Sequence, residues 1–123
     1  MPRLATHDPL ARERATTKNV RDAQERAESA PLLTFAGLAD ADERSVDRIN
    51  RALRYLNRST RQAIEWRMAD NTMRSFTAAQ FTRFTNEVDQ AFTDRMMRIH
   101  AQARILKAAP LTQRELAEVV WES

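Results

Sequence analysis

The sequence contains no cysteine and a single glycine among its 123 residues. Without cysteine, disulfide scaffolds and cysteine-ligated zinc sites are excluded. One glycine also excludes Walker and Rossmann phosphate-binding loops, because those loops need several residues without a Cβ atom. No run of about 18 apolar residues is present, and the first residues lack the apolar core of a secretion signal. We therefore expect a chain that is made in the cytoplasm and does not enter a membrane.

Residue patterns typical of catalysis are also scarce. The histidines, His7 and His100, have no metal-ligand spacing to each other or to a carboxylate cluster. We interpret His100 as a surface or interface residue. Asp40 and Asp42 are explained more simply as helix caps than as an acid-base pair. We predict a protein that is not an enzyme, with no catalytic residue, no cofactor and no metal site.

The composition favours soluble helices. Hydrophobic residues make up 42% of the chain and charged residues 30%, which is far from a disordered composition. The 20 basic and 17 acidic residues leave a formal net charge of only +3. The length fits one domain, or one small domain with an arm. The predicted fold class is α+β and predominantly helical.

The N-terminal residues 1–31 are predicted to form a helical docking arm. Asp8, followed by proline, is a favourable helix start. Leu10 and Val20 are nearly the only large apolar side chains that follow, so this helix has little to bury and would be marginal alone in water. We expect it to dock on a neighbour, while residues 32–123 form a small domain. A frayed terminal extension is the alternative.

An amphipathic helix is predicted after a short β-prone run, Leu32–Gly37. Asp40 and Asp42 offer N-caps for this helix. Its apolar side chains recur three or four residues apart and therefore share one face: Val46, Ile49, Leu53 and Leu56.

A small β-hairpin is predicted next. Ile64, Trp66 and Met68 alternate with polar or charged residues, turn-forming residues follow at 69–72, and a second short run occupies 73–76. Asp and Asn tolerate the backbone conformations of a tight turn, although the usual glycine is missing.

One long helix and a short C-terminal helix complete the predicted fold. Thr77 is the cap of the long helix, which is about 45 Å long at 1.5 Å per residue. Because this exceeds the width of a small domain, we expect part of it to pack against another chain. Thr112 and Glu115 have capping-box spacing and open the last helix, whose apolar end we expect to be buried.

Seven large side chains are the predicted core and interface anchors. Trp66 and Trp121 are expected to fasten the hairpin and the last helix to the long helix. The others belong to the return strand and to the apolar stripe of the long helix: Phe76, Phe81, Phe84, Phe92 and Met96.

Arginines dominate the middle of the chain and offer a possible partner-binding basic face. An ordinary solvated face is the simplest interpretation. Contact with a phosphate backbone, or pairing with carboxylates of a partner protein, are the alternatives. The residues assigned to this face are Arg44, Arg48, Arg51 and Arg58.

Several segments resemble a domain of unknown function that recurs in tailed-phage and prophage proteins, often beside tail-fibre or tail-fibre-assembly segments. The resemblance covers about residues 35–121 and leaves the arm outside. Phe76 stands where that family usually has leucine. The matching segments are FAG at 35–37, DERS at 42–45, EWRMADN at 65–71, SFTAAQF at 75–81, ILKAA at 105–109, LTQREL at 111–116, and Trp121.

This resemblance implies a virion or virion-assembly protein that works by binding. Our expectation is a non-enzymatic structural protein of the phage tail tip, baseplate or fibre attachment, made in the bacterial cytoplasm and located in the virion. Its partners would be other tail, baseplate or tail-fibre proteins, with several copies or a homo-oligomer in a symmetric assembly. Two alternatives are a tail-fibre assembly chaperone that leaves the finished particle and a basic DNA-associated protein, although nucleic acid is the less favoured partner.

Overall fold

The structure is a computed structural model that describes residues 13–121, which contain four α-helices and two two-stranded antiparallel sheets. The predominantly helical α+β fold is therefore confirmed. The elements in chain order are α1 Thr17–Glu28, β1 Leu32–Thr34, β2 Gly37–Ala39, α2 Glu43–Arg58, β3 Ala63–Arg67, β4 Met73–Thr77, α3 Ala78–Ala108 and α4 Gln113–Ala117.

The chain divides into two compact units. One contains the described residues 13–27 and 97–121, and the other is Glu28–Met96. This division differs from the predicted boundary between an arm and a domain after residue 31. The reason is that α1, although poor in large apolar side chains, buries Val20 and Ala23 in a cluster of its own unit. The expected cap at Asp8 lies outside the described residues.

In the first unit, α1 and α4 pack with the end of α3 around a small core of Val20, Ala23, Ala103 and Leu116. Two backbone hydrogen bonds join the segment before α1 to the start of α4: Ala15 donates to the Leu111 carbonyl at 2.8 Å, and Gln113 to the Glu13 carbonyl at 2.7 Å. These bonds hold the two helix starts side by side.

The helices of this unit begin at side-chain caps. Thr16 and Asn19 exchange hydrogen bonds at the start of α1. The predicted capping box of α4 is present, with Thr112 and Glu115 bonded to each other's backbone N–H groups. Helix α4 ends at Ala117, however, and Val120 is 86% exposed. The expectation of a buried apolar C-terminus is therefore wrong for Val120, whereas Leu116 is buried and Val119 and Trp121 are partly buried against the core.

In the second unit, α2 packs its apolar face on the core as predicted. Asp42 is the N-cap and accepts a 2.7 Å hydrogen bond from the backbone of Ser45. Val46, Ile49 and Leu56 are buried. Polar contacts join α2 to α3, since the Asn50 amide donates to the Asp89 carboxylate at 2.7 Å.

The β3–β4 hairpin is confirmed, with Trp66 opposite Arg74 and Ile64 opposite Phe76. Asn71 takes the positive φ of 68° that the turn requires in place of glycine. Asp70 organises the same turn, because its carboxylate accepts hydrogen bonds from the hydroxyl and backbone N–H of Thr72. These bonds hold the pKa of Asp70 below its ordinary value.

A second hairpin lies where only one short strand was predicted. Strands β1 and β2 pair Leu32 with Ala39 and Leu33 with Leu38. The sole glycine, Gly37, has a φ of +117°, which residues with a Cβ atom rarely adopt. Thr34 closes the turn because its hydroxyl donates to the Gly37 carbonyl and accepts from the backbone of Ala36.

Helix α3 begins at the predicted cap, where Thr77 and Gln80 exchange hydrogen bonds. Its first turns carry the centre of the second unit's core: Phe81, Phe84 and Val88 are completely buried. Ile99 and Ala103 are the buried residues of its last turns. The stripe of apolar residues that predicted this helix therefore faces protein along most of its length.

An arginine is buried among these apolar residues. Arg95 is 1% exposed, and its guanidinium donates to the backbone carbonyls of Ala30 at 2.6 Å, Ala41 at 2.9 Å and Glu28. Desolvation lowers the pKa of Arg95, and the nearby charge of Glu28 raises it. Arg95 on α3 thus links the segment that precedes β1 with the segment that precedes α2.

Replacing the glycine of the β1–β2 hairpin tests its backbone role. We expect Gly37→Ala to lower the free energy of unfolding by about 1–2 kcal/mol, because a Cβ atom is strained at this φ, even though it would make only an ordinary van der Waals contact with the Met68 side chain, 3.9 Å away. Asn71→Gly is the control, since glycine adopts positive φ freely and should change stability little. Urea unfolding followed by circular dichroism measures both, and equal stability of Gly37→Ala and the wild type would contradict this account.

Removing the buried guanidinium tests its structural role. We expect Arg95→Ala to lower the free energy of unfolding by about 3 kcal/mol, because three backbone carbonyls lose their charged donor. Arg95→Lys should recover only part of the loss, since an ammonium group cannot reproduce the planar fork. The exposed Arg104→Ala on the same helix is the control and should stay within about 0.5 kcal/mol of the wild type in urea unfolding. A similarly small effect of Arg95→Ala would show that these hydrogen bonds do not stabilise the fold.

Candidate functional site

Two leucines of the second unit are exposed on the outer face of the β1–β2 hairpin. Leu33 is 77% exposed and Leu38 49% exposed. The two residues are direct partners across the strands, so their side chains lie on the same face. Their neighbours Thr34 and Ala39 are buried on the opposite face. We call Leu33, Phe35 and Leu38 the hairpin surface.

Phe35 extends the hairpin surface into the turn and is held from two sides. The Arg83 guanidinium lies 4.2 Å from the centre of its ring, a cation–π geometry. Its backbone N–H donates to the Glu87 carboxylate at 3.0 Å. Arg83 and Glu87 also pair with each other at 2.8 Å on the surface of α3. The turn is thereby fixed to the long helix, with Phe35 still 36% exposed.

The other side of the hairpin is tied to β3 and β4. The Arg74 guanidinium donates to the Ala36 carbonyl at 2.9 Å, and the backbone of Ala69 donates to the Leu38 carbonyl at 2.9 Å. The hairpin surface is therefore held by hydrogen bonds from α3, from β4 and from the β3–β4 turn. A hairpin whose backbone is held in this way loses less conformational entropy when it binds.

Beneath the hairpin lies a cluster of aromatic rings that contains four of the predicted anchors. Phe76 contacts Phe35 above it edge-on, with ring centres 6.3 Å apart, and Phe84 below it at 4.9 Å. Phe81 lies 5.6 Å from Phe76 and 5.6 Å from Trp66. Phe76, Phe81 and Phe84 are buried, while Trp66 packs against the core and is half-buried. These rings are the platform on which the hairpin surface rests.

The remaining predicted anchors lie in different places. Phe92 is half-buried against the core of the second unit, and Met96 is half-buried one residue after the buried Arg95. Trp121 is half-buried and packs against the small core of the first unit. Four of the seven predicted anchors therefore belong to one aromatic cluster, and the other three lie outside it.

The predicted basic face lies on the exposed side of α2. Arg44, Arg48 and Arg51 line one shallow depression together with Glu43 and Asp47. The fourth predicted member of this face, Arg58, is exposed in the last turn of α2.

The first unit contains an open groove of about 480 Å³ between α1 and α4. Apolar and charged side chains share its lining, including Ala23, Arg26, Leu116 and Trp121. Nothing in the sequence patterns predicted this groove, since it depends on how α1 packs beside α4.

Residues 13–121 contain no cluster of three or more His, Asp or Glu side chains that is placed to hold a metal ion. None of the helices in the described part of the chain is long and apolar enough to cross a membrane. His100 is exposed on α3.

The hairpin surface and Arg95 were both missed by the sequence analysis. Strands of three residues are too short to show an alternating pattern, but the sole glycine after an apolar run was a usable signal. At about 100° per residue, Arg95 lies about 20° from Val88 on the helix, whereas Met96 lies about 80° away. A helical-wheel comparison therefore indicates that Arg95 belongs to the buried stripe.

Comparison with known proteins gives one result. A family model described as Domain of unknown function (DUF4376) matches residues 10–122. The match therefore includes most of residues 1–31, which the resemblance in the sequence had left outside. No curated protein and no solved structure matches significantly. Because the family model spans nearly the whole chain, this protein belongs to the DUF4376 family.

Proposed function

We propose that this chain is a non-enzymatic structural protein of a tailed bacteriophage and that it acts through protein–protein contacts in the tail tip, baseplate or tail-fibre attachment. The observation that carries the binding role is the hairpin surface, in which Leu33 and Leu38 are exposed side by side.

Exposed apolar side chains are common on protein surfaces and by themselves do not indicate a binding site. The hairpin surface differs because its backbone is held in place by other parts of the second unit. The hairpin surface combines paired leucines with an aromatic ring in a turn that side chains of α3 and β4 hold. Apolar and aromatic side chains presented on a rigid base are typical of the centres of protein interfaces, where few residues supply most of the binding free energy.

The phage setting is supported by the resemblance of the segments around EWRMADN and SFTAAQF to tail-associated proteins. Repeated copies in a symmetric particle are a natural context for a small protein with a 31-residue helix. In this proposal the protein resides in the virion after its synthesis in the bacterial cytoplasm.

A tail-fibre assembly chaperone is the second candidate. Chaperones also hold apolar surfaces of other proteins, so the same hairpin surface supports this function. The two candidates differ in whether the chain is retained in the finished particle.

Virion incorporation tests the proposal. In a phage deleted for this gene and complemented in trans, we expect the wild-type chain to appear in purified virions and the double variant Leu33→Ser, Leu38→Ser to be reduced about tenfold or more, because the apolar contact is lost. Both side chains are largely exposed, so the variant's stability should change by about 0.5 kcal/mol or less per site. Quantitative mass spectrometry of the particles measures the incorporation.

The matched control is Ile105→Ser, Val120→Ser, which removes two exposed apolar side chains of the first unit. If only this variant showed reduced incorporation, the contact would lie in the first unit. Wild-type chain bound to fibre precursors but absent from purified virions would favour the chaperone. Equal incorporation of all variants would exclude the hairpin surface as the contact.

A further inference from the structure

We propose that the outward face of α2 binds an acidic α-helix of a partner protein by pairing a line of arginines with carboxylates. This inference rests on the proposed role in protein binding and concerns a surface separate from the hairpin surface. The residues of this face, which we call the α2 stripe, are Arg44, Arg48, Arg51, Tyr55 and Arg58.

The α2 stripe is straight and one side chain wide. Its members follow each other at steps of 4, 3, 4 and 3 residues, so they lie within about 40° of one line along the helix at about 100° per residue. The buried face of α2 is on the other side, about 120–200° away, where Val46, Ile49 and Leu56 meet the core. The stripe is about 21 Å long, or four helical turns.

The arginines of the α2 stripe are exposed and have no carboxylate partner among the residues that the structure describes. Among residues 13–121, its four arginines form no salt bridge and donate no hydrogen bond, although Glu43 and Asp47 lie beside three of them. The aromatic member, Tyr55, is 48% exposed, and the Arg61 guanidinium lies 6.0 Å from its ring centre. Arginine and tyrosine together are typical of the residues that contribute most at protein interfaces.

Carboxylates on a helix fit this geometry. A guanidinium presents planar paired donors that match a carboxylate in a bidentate contact. An α-helix with Glu or Asp at the same steps of four and three residues places one carboxylate opposite each arginine. Tyr55 then packs on the aliphatic part of the partner.

The carboxylates beside the stripe favour a protein over nucleic acid. Glu43 and Asp47 share the depression with Arg44, Arg48 and Arg51, so a continuous phosphate backbone would meet two like charges there. A protein helix avoids this repulsion by carrying a lysine or arginine at that position. The net charge of +3 also provides little long-range attraction for DNA.

A second copy of the chain is a poorer occupant. Helix α1 carries acidic residues, but Asp22 already pairs with Lys18 at 2.9 Å, and Glu25 and Glu28 are engaged within the chain. Glu115 on α4 is part of the capping box. The carboxylates of α1 and α4 are therefore already engaged, which makes these two helices of a second copy poor ligands for the α2 stripe.

A designed peptide tests this inference. The probe is an alanine-rich helical peptide of about 21 residues with glutamates at steps of four and three along one face, compared with a peptide of the same composition whose glutamates are spread around the helix. We expect the full chain to bind the striped peptide about tenfold more tightly than the scattered one in fluorescence anisotropy at low salt. Arg44→Gln, Arg48→Gln, Arg51→Gln should weaken this binding about tenfold, because each exposed pair contributes only a few-fold.

The matched control is Arg54→Gln, Arg67→Gln, Arg104→Gln, which removes the same charge from exposed positions off the stripe and should change binding less than about twofold. Equal affinity for the two peptides, or equal effects of the two triple variants, would overturn the inference. A duplex DNA that binds more tightly than the striped peptide and depends on the stripe would also overturn it and identify nucleic acid as the ligand. So would a wild-type dimer in sedimentation velocity that the stripe variant dissociates.

Failure of this inference is distinguishable from failure of the proposed function. Virion incorporation that depends on Leu33 and Leu38 would stand even if the striped peptide did not bind. Conversely, the chain could bind the striped peptide through the α2 stripe and yet never associate with particles. That result would support the inference about the α2 stripe and reject the phage role.

Discussion

The packing of Phe76 against Phe81 and Phe84 is the interaction on which the second unit depends. Phe76 is the return-strand residue of one hairpin, and Phe81 and Phe84 lie in the first turns of the long helix that follows it directly. Their rings exclude solvent at the point where β3, β4 and α3 meet, with centres 4.9 to 5.6 Å apart. Phe35 packs on the outer edge of the same cluster, so the position of the exposed hairpin follows from the core beneath it.

Two arginines in opposite environments show how the fold uses its basic residues. Arg95 is buried, and its two terminal nitrogens donate to backbone carbonyls of the segments around β1 and β2. Arg83 stays on the surface, where it covers Phe35 and pairs with Glu87. Both fasten the chain that carries the β1–β2 hairpin to the long helix. In contrast, the arginines along α2 have no such task within the described residues and remain available to another molecule.

The helices and strands that could be predicted from the sequence are those whose patterns involve residues close together in the chain. The period of the apolar residues predicted α2 and α3, alternation around Trp66 predicted β3, and cap residues at 42, 77 and 112 marked helix starts within one residue. What it missed depends on tertiary packing. Strands β1 and β2 are too short to alternate visibly, and a charged side chain in the core is stable only because distant carbonyls converge on it. The grouping of α1 with α4 likewise follows from contacts between residues about a hundred positions apart.

Site-specific photocrosslinking tests the central claim, that this protein works by holding other proteins on surfaces mounted on the aromatic core. A photoreactive phenylalanine analogue at position 33, within the hairpin surface, and the same analogue at position 120 would be irradiated in infected cells. The account predicts that position 33 alone yields one discrete adduct, identified by mass spectrometry as a tail, baseplate or tail-fibre protein of the same phage. No protein adduct at position 33, or the same diffuse set of adducts at both positions, would contradict it.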